Sequence, residues 1–427
     1  MAGGKGTRAA SIASDIPKPM IPVCGKPILE YQIDCLIKNK LTDIIIVVGH
    51  LGNHIKEHFT DGSRFNCNIS YYTETEPLGT AGALFKINNL SDNFILLNGD
   101  VILDMNFKRM ISFHKEKKAD VTLAVHPNSH PFDSALIISD TNNKITGWIN
   151  REDERSYYKN TVNAGVHILS LNFLKKCTQP KVKIDLDRDI LKPNILTSEI
   201  YAYCTPEYIK DMGTPERYAQ VTTDIEKGIV HSKNLSVKQK AVFLDRDGTI
   251  NIYNCFIRKP EEFELIEGAA EAIKIMNRLG YLVILITNQP VIARGEIDFQ
   301  TLDLIHMKME TDLGKQGAYL DDIFYCPHHP DKGFEGERPE YKIDCDCRKP
   351  KPGMILKASE KFNIDLSKSY MAGDHNRDMQ TAINAGCKPV FISGGEGNIN
   401  DITSANVLNF PSLIEFAYFL NRNDNYC

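Results

Sequence analysis

The chain has no surplus of positive charge: across 427 residues, 50 Lys and Arg face 55 Asp and Glu, for a formal net charge of −5. That balance offers no basic face to a nucleic-acid backbone or an acidic membrane leaflet, so neither is expected as a partner, and only a local patch is left for small anions. Long apolar runs are missing as well. The longest, around Ile44–Val48 and Leu282–Thr287, are strand-sized and far too short to span a bilayer. The opening Met1–Arg8 is glycine-rich and basic with no apolar stretch behind it, which does not make a secretory signal, so a cytoplasmic location is expected. No tract is of low complexity and no segment repeats at a fixed period, which excludes disordered and solenoid designs. Eleven cysteines are an odd and mostly scattered set, which argues against a disulfide framework.

What is present points to two globular halves. The length exceeds what one hydrophobic core usually organises, about 250 to 300 residues, and 42% hydrophobic with 25% charged residues is an ordinary globular composition. Short Val/Ile/Leu runs without alternation, separated by stretches of helical spacing, are the pattern of parallel strands covered on both faces, so both halves read as α/β. Strands are expected at Asp43–Val48, Asn93–Leu97, Val121–Val125 and Val166–Leu169, with a helix over Pro27–Asn39. In the second half they are expected at Lys240–Leu244, Leu282–Ile286, Tyr370–Ala372 and Pro389–Ile392. The polar stretch before Lys240 gives the division: domain 1–230, linker 231–239, domain 240–427. The halves do not resemble each other, so the chain reads as a fusion.

The first half opens on Gly3-Gly4-Lys5-Gly6-Thr7-Arg8, whose unblocked backbone N–H groups, cation and hydroxyl suit a nucleoside triphosphate. It lacks the ending and spacing of a Walker loop. Pro17-Lys18-Pro19-Met20 and Gly25-Lys26-Pro27 follow, a stiff run that can hold Lys18 over phosphates while Pro27 opens a helix. With these motifs the chain, to about Tyr218, resembles the sugar-1-phosphate nucleotidyltransferases. Pro77-Leu78-Gly79-Thr80-Ala81-Gly82 matches the segment where the base approaches the backbone, and Leu97-Asn98-Gly99-Asp100 a strand end where open α/β sheets bind ligands. Asn163-Ala164-Gly165 is similar to the sugar-contacting loop, and Lys210-Asp211-Met212-Gly213-Thr214-Pro215 to the segment of the second metal-binding aspartate. The resemblance implies Mg²⁺ on Asp100 and Asp211, with Arg8 and Lys18 offsetting transition-state charge and Gly3, Gly4, Gly6, Thr7, Gly79, Asn163 and Asp187 binding the nucleotide and sugar. Two departures stand out. The family has an apolar strand before its glycine loop, so the Rossmann-like sheet is expected to lack its first strand, with either a start further upstream or an impaired domain. Asp187-Arg188 also stands where the family has Glu-Lys.

In the second half, the run Ala241–Leu244 leads straight into Asp245-Arg246-Asp247-Gly248-Thr249, two carboxylates just past a strand end. Thr287-Asn288-Gln289, Arg348-Lys349-Pro350 and Gly373-Asp374 with Asp378 follow in order. This set resembles the haloacid dehalogenase-type phosphatases, with a Rossmannoid domain. The resemblance implies Asp245 as nucleophile and Asp247 as acid and base, while Thr287 and Lys349 bind the phosphoryl group. It also implies Mg²⁺ on Asp245, Asp247 and Asp374, with substrate contacts from Asn288, Arg294 and Arg348.

Cys326-Pro327-His328-His329 and Cys345-Asp346-Cys347 supply three sulfurs and one imidazole, a donor set for a closed, structural Zn²⁺. His329 could take the place of His328; the resemblance favours the first histidine. The CxH and CxC pairs ahead of Arg-Lys-Pro are similar to the subfamily of heptose bisphosphate and histidinol phosphatases. One departure is Pro290-Val291, where that subfamily has Ser-Gly. The fused resemblances imply removal of the 7-phosphate of D-glycero-D-manno-heptose 1,7-bisphosphate, then nucleotidyl transfer to heptose 1-phosphate from GTP, giving GDP-heptose. A histidinol-phosphate-type phosphatase with a degenerate nucleotide-binding domain, or a non-catalytic nucleotide sensor, are the alternatives; a homo-oligomer is left open.

Overall fold

Residues Ile28, Leu29, Ile33 and Cys35 share one face of a helical stretch and are buried in helix α1 (Ile28–Lys38), which the chain enters through Pro27. The computed structural model describes residues 1, 16–177, 182–395 and 406–424. It divides into two units: 1–126, 137–149 and 163–236 form unit 1, and 127–136, 150–162 and 237–427 form unit 2. The change from unit 1 to unit 2 at Ser236–Val237 falls in the stretch expected as linker. The expected first domain, 1–230, also contains two excursions, 127–136 and 150–162, that are part of unit 2.

In unit 1, β1 (Asp43–Val48) and β2 (Asn68–Thr73) form a parallel pair. The strands β3 (Asn93–Leu97), β4 (Val101–Asp104), β5 (Val121–His126), β6 (Leu136–Ser139), β7 (Ile145–Ile149), β8 (Val162–Ser170), β9 (Ile200–Cys204) and β10 (Tyr208–Asp211) follow, then helix α2 (Pro215–Glu226). A six-stranded sheet runs β9-β5-β8-β6-β7, with β3 also paired to β8. Val121–Val125 is buried throughout, as a strand covered on both faces requires. Among the described residues no strand joins β1 to β3. Met1 lies at the end of β3 instead, its amine donating to Leu97 O (2.8 Å) and its carbonyl accepting from Gly99 N (2.9 Å).

His167 in β8 is 2% exposed, and neither ring nitrogen has a hydrogen-bond partner among the described residues. Burial pushes its pKa down to about 4. The unfolded imidazole takes up a proton below pH ~6.5 while the folded one stays neutral, so stability is present above pH ~6.5 and is lost as pH falls toward 4, by roughly 3 kcal/mol in all. His167→Leu is therefore expected to flatten the acid side of the stability profile. Urea unfolding of unit 1 at pH 5 and pH 8 checks this, and equal pH dependence in both proteins would refute it.

Unit 2 is built on a six-stranded parallel sheet. In chain order come β11 (Ala241–Leu244), helix α3 (Ala269–Arg278), β12 (Leu282–Asn288), α4 (Phe299–Lys315), β13 (Asp322–Cys326), α5 (Gly353–Phe362) and β14 (Tyr370–Gly373). The chain continues through α6 (Asn376–Ala385), β15 (Lys388–Ile392), β16 (Leu408–Phe410) and α7 (Leu413–Asp424). The spatial order β13-β12-β11-β14-β15-β16, all pairs parallel, reverses direction between β11 and β14. Such a switch point opens a crevice at the carboxyl ends of the strands. The core of Val242, Leu244, Val283, Leu285, Ile273 and Met276 fixes the sheet against α3. The two excursions meet α4: Tyr158 N donates to Thr311 Oγ1 (3.0 Å) and Asn160 N to Glu310 Oε1 (3.2 Å). A Cβ on Gly314 would lie 2.7 Å from Pro131 Cγ. Among the described residues no helix is long and apolar enough to cross a membrane.

Candidate active sites

In unit 1 the turn Asn98–Asp100 follows β3. Gln32, buried on α1, straps it from below, its Nε2 donating to Asn98 O (2.8 Å) and Val101 O (2.7 Å). Lys18 Nζ reaches Asp100 Oδ2 at 2.5 Å. The antiparallel pairing of β4 with β10 sets Asp211 opposite Val101, and Met212 N donates to Asp100 O (3.0 Å), so both expected metal-binding aspartates leave one end of that ladder. Arg217 Nη1 lies 2.8 Å from each Asp211 oxygen. Burial pushes the Asp211 carboxyl up, but the Arg217 charge and its hydrogen bonds outweigh this and hold it below the usual range.

Asn163 Nδ2 donates to Asp187 at 3.3 Å, while Asn163 Oδ1 accepts from Gly165 N at 3.2 Å. Burial, and then the charge of Asp185, push Asp187 up to about 7. Gly79 has a structural reason of its own: its φ is +84°, and a Cβ there would stand 2.3 Å from the Ile184 carbonyl oxygen. The expected loop residues Gly3, Gly4, Gly6, Thr7 and Arg8 lie outside the described residues.

In unit 2 the two strands flanking the switch point end on Asp245 and Asp374, both buried. Asp245 N donates to Ala372 O (3.0 Å), and Asp245 Oδ1 is met by Lys349 Nζ (2.8 Å) and Arg246 N (2.7 Å). Lys349, buried in turn, also touches Asp378 Oδ1 (2.6 Å), so one cation serves two carboxylates. Burial raises Asp245 but the charges of Lys349 and Arg377 prevail and hold it down. Burial and the Asp245 charge push Asp378 up to about 6. Gly248, with φ +80°, leaves room that any side chain would fill, since its Cβ would come within 2.1 Å of Asp374 Oδ2.

Asp247 Oδ1 accepts from Arg246 Nη2 (3.0 Å) and Asn251 Nδ2 (3.2 Å). Asn288, expected at the substrate, spends its amide on the Lys349 main chain: Nδ2 donates to Lys349 O (3.2 Å) and Oδ1 accepts from Lys349 N (3.0 Å). Arg348 Nη1 donates to His328 O (3.1 Å). Arg294 lies between two rings, 4.5 Å from the Phe256 centroid and 4.4 Å from that of Phe334. Sequence reasoning gave no role to Arg246, Asn251, Gln289 or Arg217. Arg246 and Gln289 adjoin motif residues, and that adjacency was the available signal.

Cys326, His328, Cys345 and Cys347 converge with all four ligand atoms within 4.8 Å of one another. Cys347 Sγ lies 3.2 Å from the sulfurs of Cys326 and Cys345 and 3.3 Å from His328 Nδ1. A tetrahedron with metal–ligand bonds of about 2.0–2.3 Å has edges of roughly 3.5–3.8 Å for this donor set, and the donor separations of 3.2–3.7 Å lie within about half an ångström of that. His329 is not in this group; its Nδ1 accepts from Asp331 N (3.2 Å).

The nucleotidyl transferase family profile matches residues 1–228, and the HAD-hydrolase-like profile residues 346–411. The D-glycero-beta-D-manno-heptose-1,7-bisphosphate 7-phosphatase of Photorhabdus laumondii is 42% identical over 170 residues, 39% of this chain and 88% of that protein. The protein of the same name from Escherichia coli K12 is 40% identical over 156 residues, 36% of this chain and 80% of its own length. The solved structure of HddC from Yersinia pseudotuberculosis is 26% identical, covering 52% of this chain and 96% of that one, with a TM-score of 0.46. The chain is thus a bifunctional enzyme of sugar biosynthesis that belongs over residues 1–228 to the nucleotidyl transferase family and in its C-terminal part to the heptose-bisphosphate 7-phosphatases.

Proposed function

We propose that unit 2 hydrolyses the 7-phosphate of D-glycero-D-manno-heptose 1,7-bisphosphate and that unit 1 then transfers GMP from GTP to the remaining 1-phosphate, giving GDP-heptose and pyrophosphate. The observation that carries the first step is the buried Asp245, held ionised by Lys349 at the switch point beside a second, independently oriented acid, Asp247. The name of the relatives that match this part of the chain supports the substrate. Asp245 attacks phosphorus and the bond to the sugar oxygen breaks, with Asp247 giving that oxygen its proton. Water then attacks the aspartyl phosphate, Asp247 takes the water proton, and phosphate leaves with Asp245 restored. Thr287 and Lys349 hold the phosphoryl oxygens throughout.

Asp245, Asp374 and the Asp247 carbonyl would hold Mg²⁺, and the buried oxygen donors at the two strand ends fit a hard cation. When bound, its charge screens the nucleophile from the phosphate. The three sulfurs and the imidazole would hold a structural Zn²⁺. In unit 1 the sugar phosphate attacks the α-phosphorus and pyrophosphate departs, with Lys18 offsetting charge and Asp100 and Asp211 as the acids that would hold Mg²⁺. The Asn163–Asp187 pair is proposed to face the sugar hydroxyls. The cytoplasm is the proposed location.

The test is sequential. Phosphate release from heptose 1,7-bisphosphate is measured first; then each nucleoside triphosphate is added singly and pyrophosphate is followed. GTP is expected to give pyrophosphate, and Asp100→Asn is expected to lower that signal by about 10²-fold with phosphate release unchanged. Pyrophosphate from another triphosphate alone would correct the base. Release with no pyrophosphate would leave only the first step, and no release would turn the search to histidinol phosphate.

A further inference from the structure

Gln289 follows the motif residues Thr287 and Asn288, is 3% exposed, and is pinned by its own N–H to Cys326 O (2.8 Å). Its side-chain Nε2 lies 3.1 Å from Asp247 Oδ2 and 3.0 Å from Thr287 Oγ1. We infer that Gln289 is a positioning residue, aiming the acid–base carboxylate of Asp247 and the phosphoryl-binding hydroxyl of Thr287 with the two hydrogens of a single amide. The inference rests on the phosphatase reading of unit 2.

Two physical points carry it. As the base that takes the water proton, Asp247 is a carboxylate that only accepts hydrogen bonds, so the amide presents its nitrogen and not its oxygen to it. That nitrogen only donates, so Thr287 Oγ1 must accept from it, which leaves the Thr287 hydrogen for a phosphoryl oxygen. Without Gln289 the hydroxyl could turn its hydrogen onto Asp247 or another neighbour and be lost to the substrate. On its other side, Asp247 Oδ1 is taken by Arg246 and Asn251. With Oδ2 on Gln289 the carboxylate has donors at both oxygens and its plane is set. Gln289 therefore ties the group that protonates the leaving oxygen to the group that stabilises the transferring phosphorus, without touching either reacting atom itself.

The experiment compares two esters on Gln289→Met, Asp247→Asn and the wild type. One is heptose 1,7-bisphosphate, whose alkoxide needs a proton to leave; the other is p-nitrophenyl phosphate, whose phenolate does not. Gln289→Met is expected to lower kcat on the sugar ester about 10- to 100-fold with KM within about threefold, and on the aryl ester less than about fivefold. Asp247→Asn should show the same selectivity more strongly. In the double variant the sugar-ester loss should stay well short of the product of the two single losses, because the larger part of the Gln289 effect on this ester runs through Asp247 and only the smaller part through Thr287. Equal losses on both esters from Gln289→Met, beside a selective loss from Asp247→Asn, would overturn the role of Gln289 alone. Equal losses from Asp247→Asn would instead overturn the phosphatase assignment on which it rests. Should the methionine variant fail to fold, Gln289→Leu, also apolar and without hydrogens to donate, gives the same comparison. Multiplicative losses in the double variant would likewise reject the proposal.

Discussion

Asp245→Asn is expected to lower phosphate release by at least about 10⁴-fold while the protein keeps its fold, because an amide cannot form the acyl phosphate that splits the reaction into two easier steps. Retention of the fold follows from the neighbours. The Arg246 N–H that reaches Asp245 Oδ1 at 2.7 Å would find an amide oxygen in its place. Lys349 would keep Asp378, 2.6 Å away, as its counter-charge. Asp378 is pushed up to about 6 partly by the charge of Asp245; with that charge gone it ionises more readily and neutralises the buried lysine alone. Steady-state release from heptose 1,7-bisphosphate, beside a thermal melt, checks both halves of the statement. Activity within tenfold of wild type would place the nucleophile elsewhere. A collapsed melt would show instead that the lysine needs both carboxylates to remain buried.

The strands that carry this chemistry were legible because they are short, apolar on both faces and closed by polar motifs. Leu282 begins β12 as the run of Val, Ile and Leu implies, and Asp245 follows β11 directly. The strand β4, only three apolar residues long, and β10, which is half polar, were not foreseen, although their pairing is what brings Asp100 and Asp211 to one end. Pairing partners distant in sequence leave no periodic trace. Excursions 127–136 and 150–162 escaped notice for the same reason: their docking on α4 depends on Thr311, Glu310 and Gly314, none of which is unusual in a helix. Residue types announced the site, but not how its hydrogen bonds are divided. Asn288 reads as a substrate group by its place in the motif, yet its amide holds the Lys349 backbone. Gly79 reads as a place for a base to approach, and its lack of a side chain is also required by the carbonyl of Ile184. In each case the deciding partner lies far along the chain.

Loss of the cysteine–histidine clip is expected to have the second large effect, lowering phosphate release by roughly 10² or more and freeing the segment between His328 and Cys345. The route runs through the backbone. Cys347 directly precedes Arg348 and Lys349, and Arg348 Nη1 is bound to His328 O at 3.1 Å, so the clip anchors one flank of Lys349, the proposed phosphoryl-binding cation, while Asn288 anchors the other. Three thiolates 3.2–3.5 Å apart repel one another unless a cation sits between them, so a clip without its proposed ion would spread. The long loop would then regain its conformational entropy. Lys349 would be held by Asn288 and by its two carboxylates alone, and a shift of about 1 Å in the phosphoryl-binding cation is enough for a hundredfold loss. The measurements are zinc content per chain, limited proteolysis across residues 330–344 and phosphate release, made on the native protein and on Cys345→Ser/Cys347→Ser. One zinc per native chain, none in the variant, and cleavage confined to the variant are expected. Pyrophosphate formation from heptose 1-phosphate supplied directly should be unchanged, since its residues lie in unit 1. A variant without zinc that resists cleavage and releases phosphate at the native rate would mean that Asn288 and the two carboxylates suffice to hold Lys349.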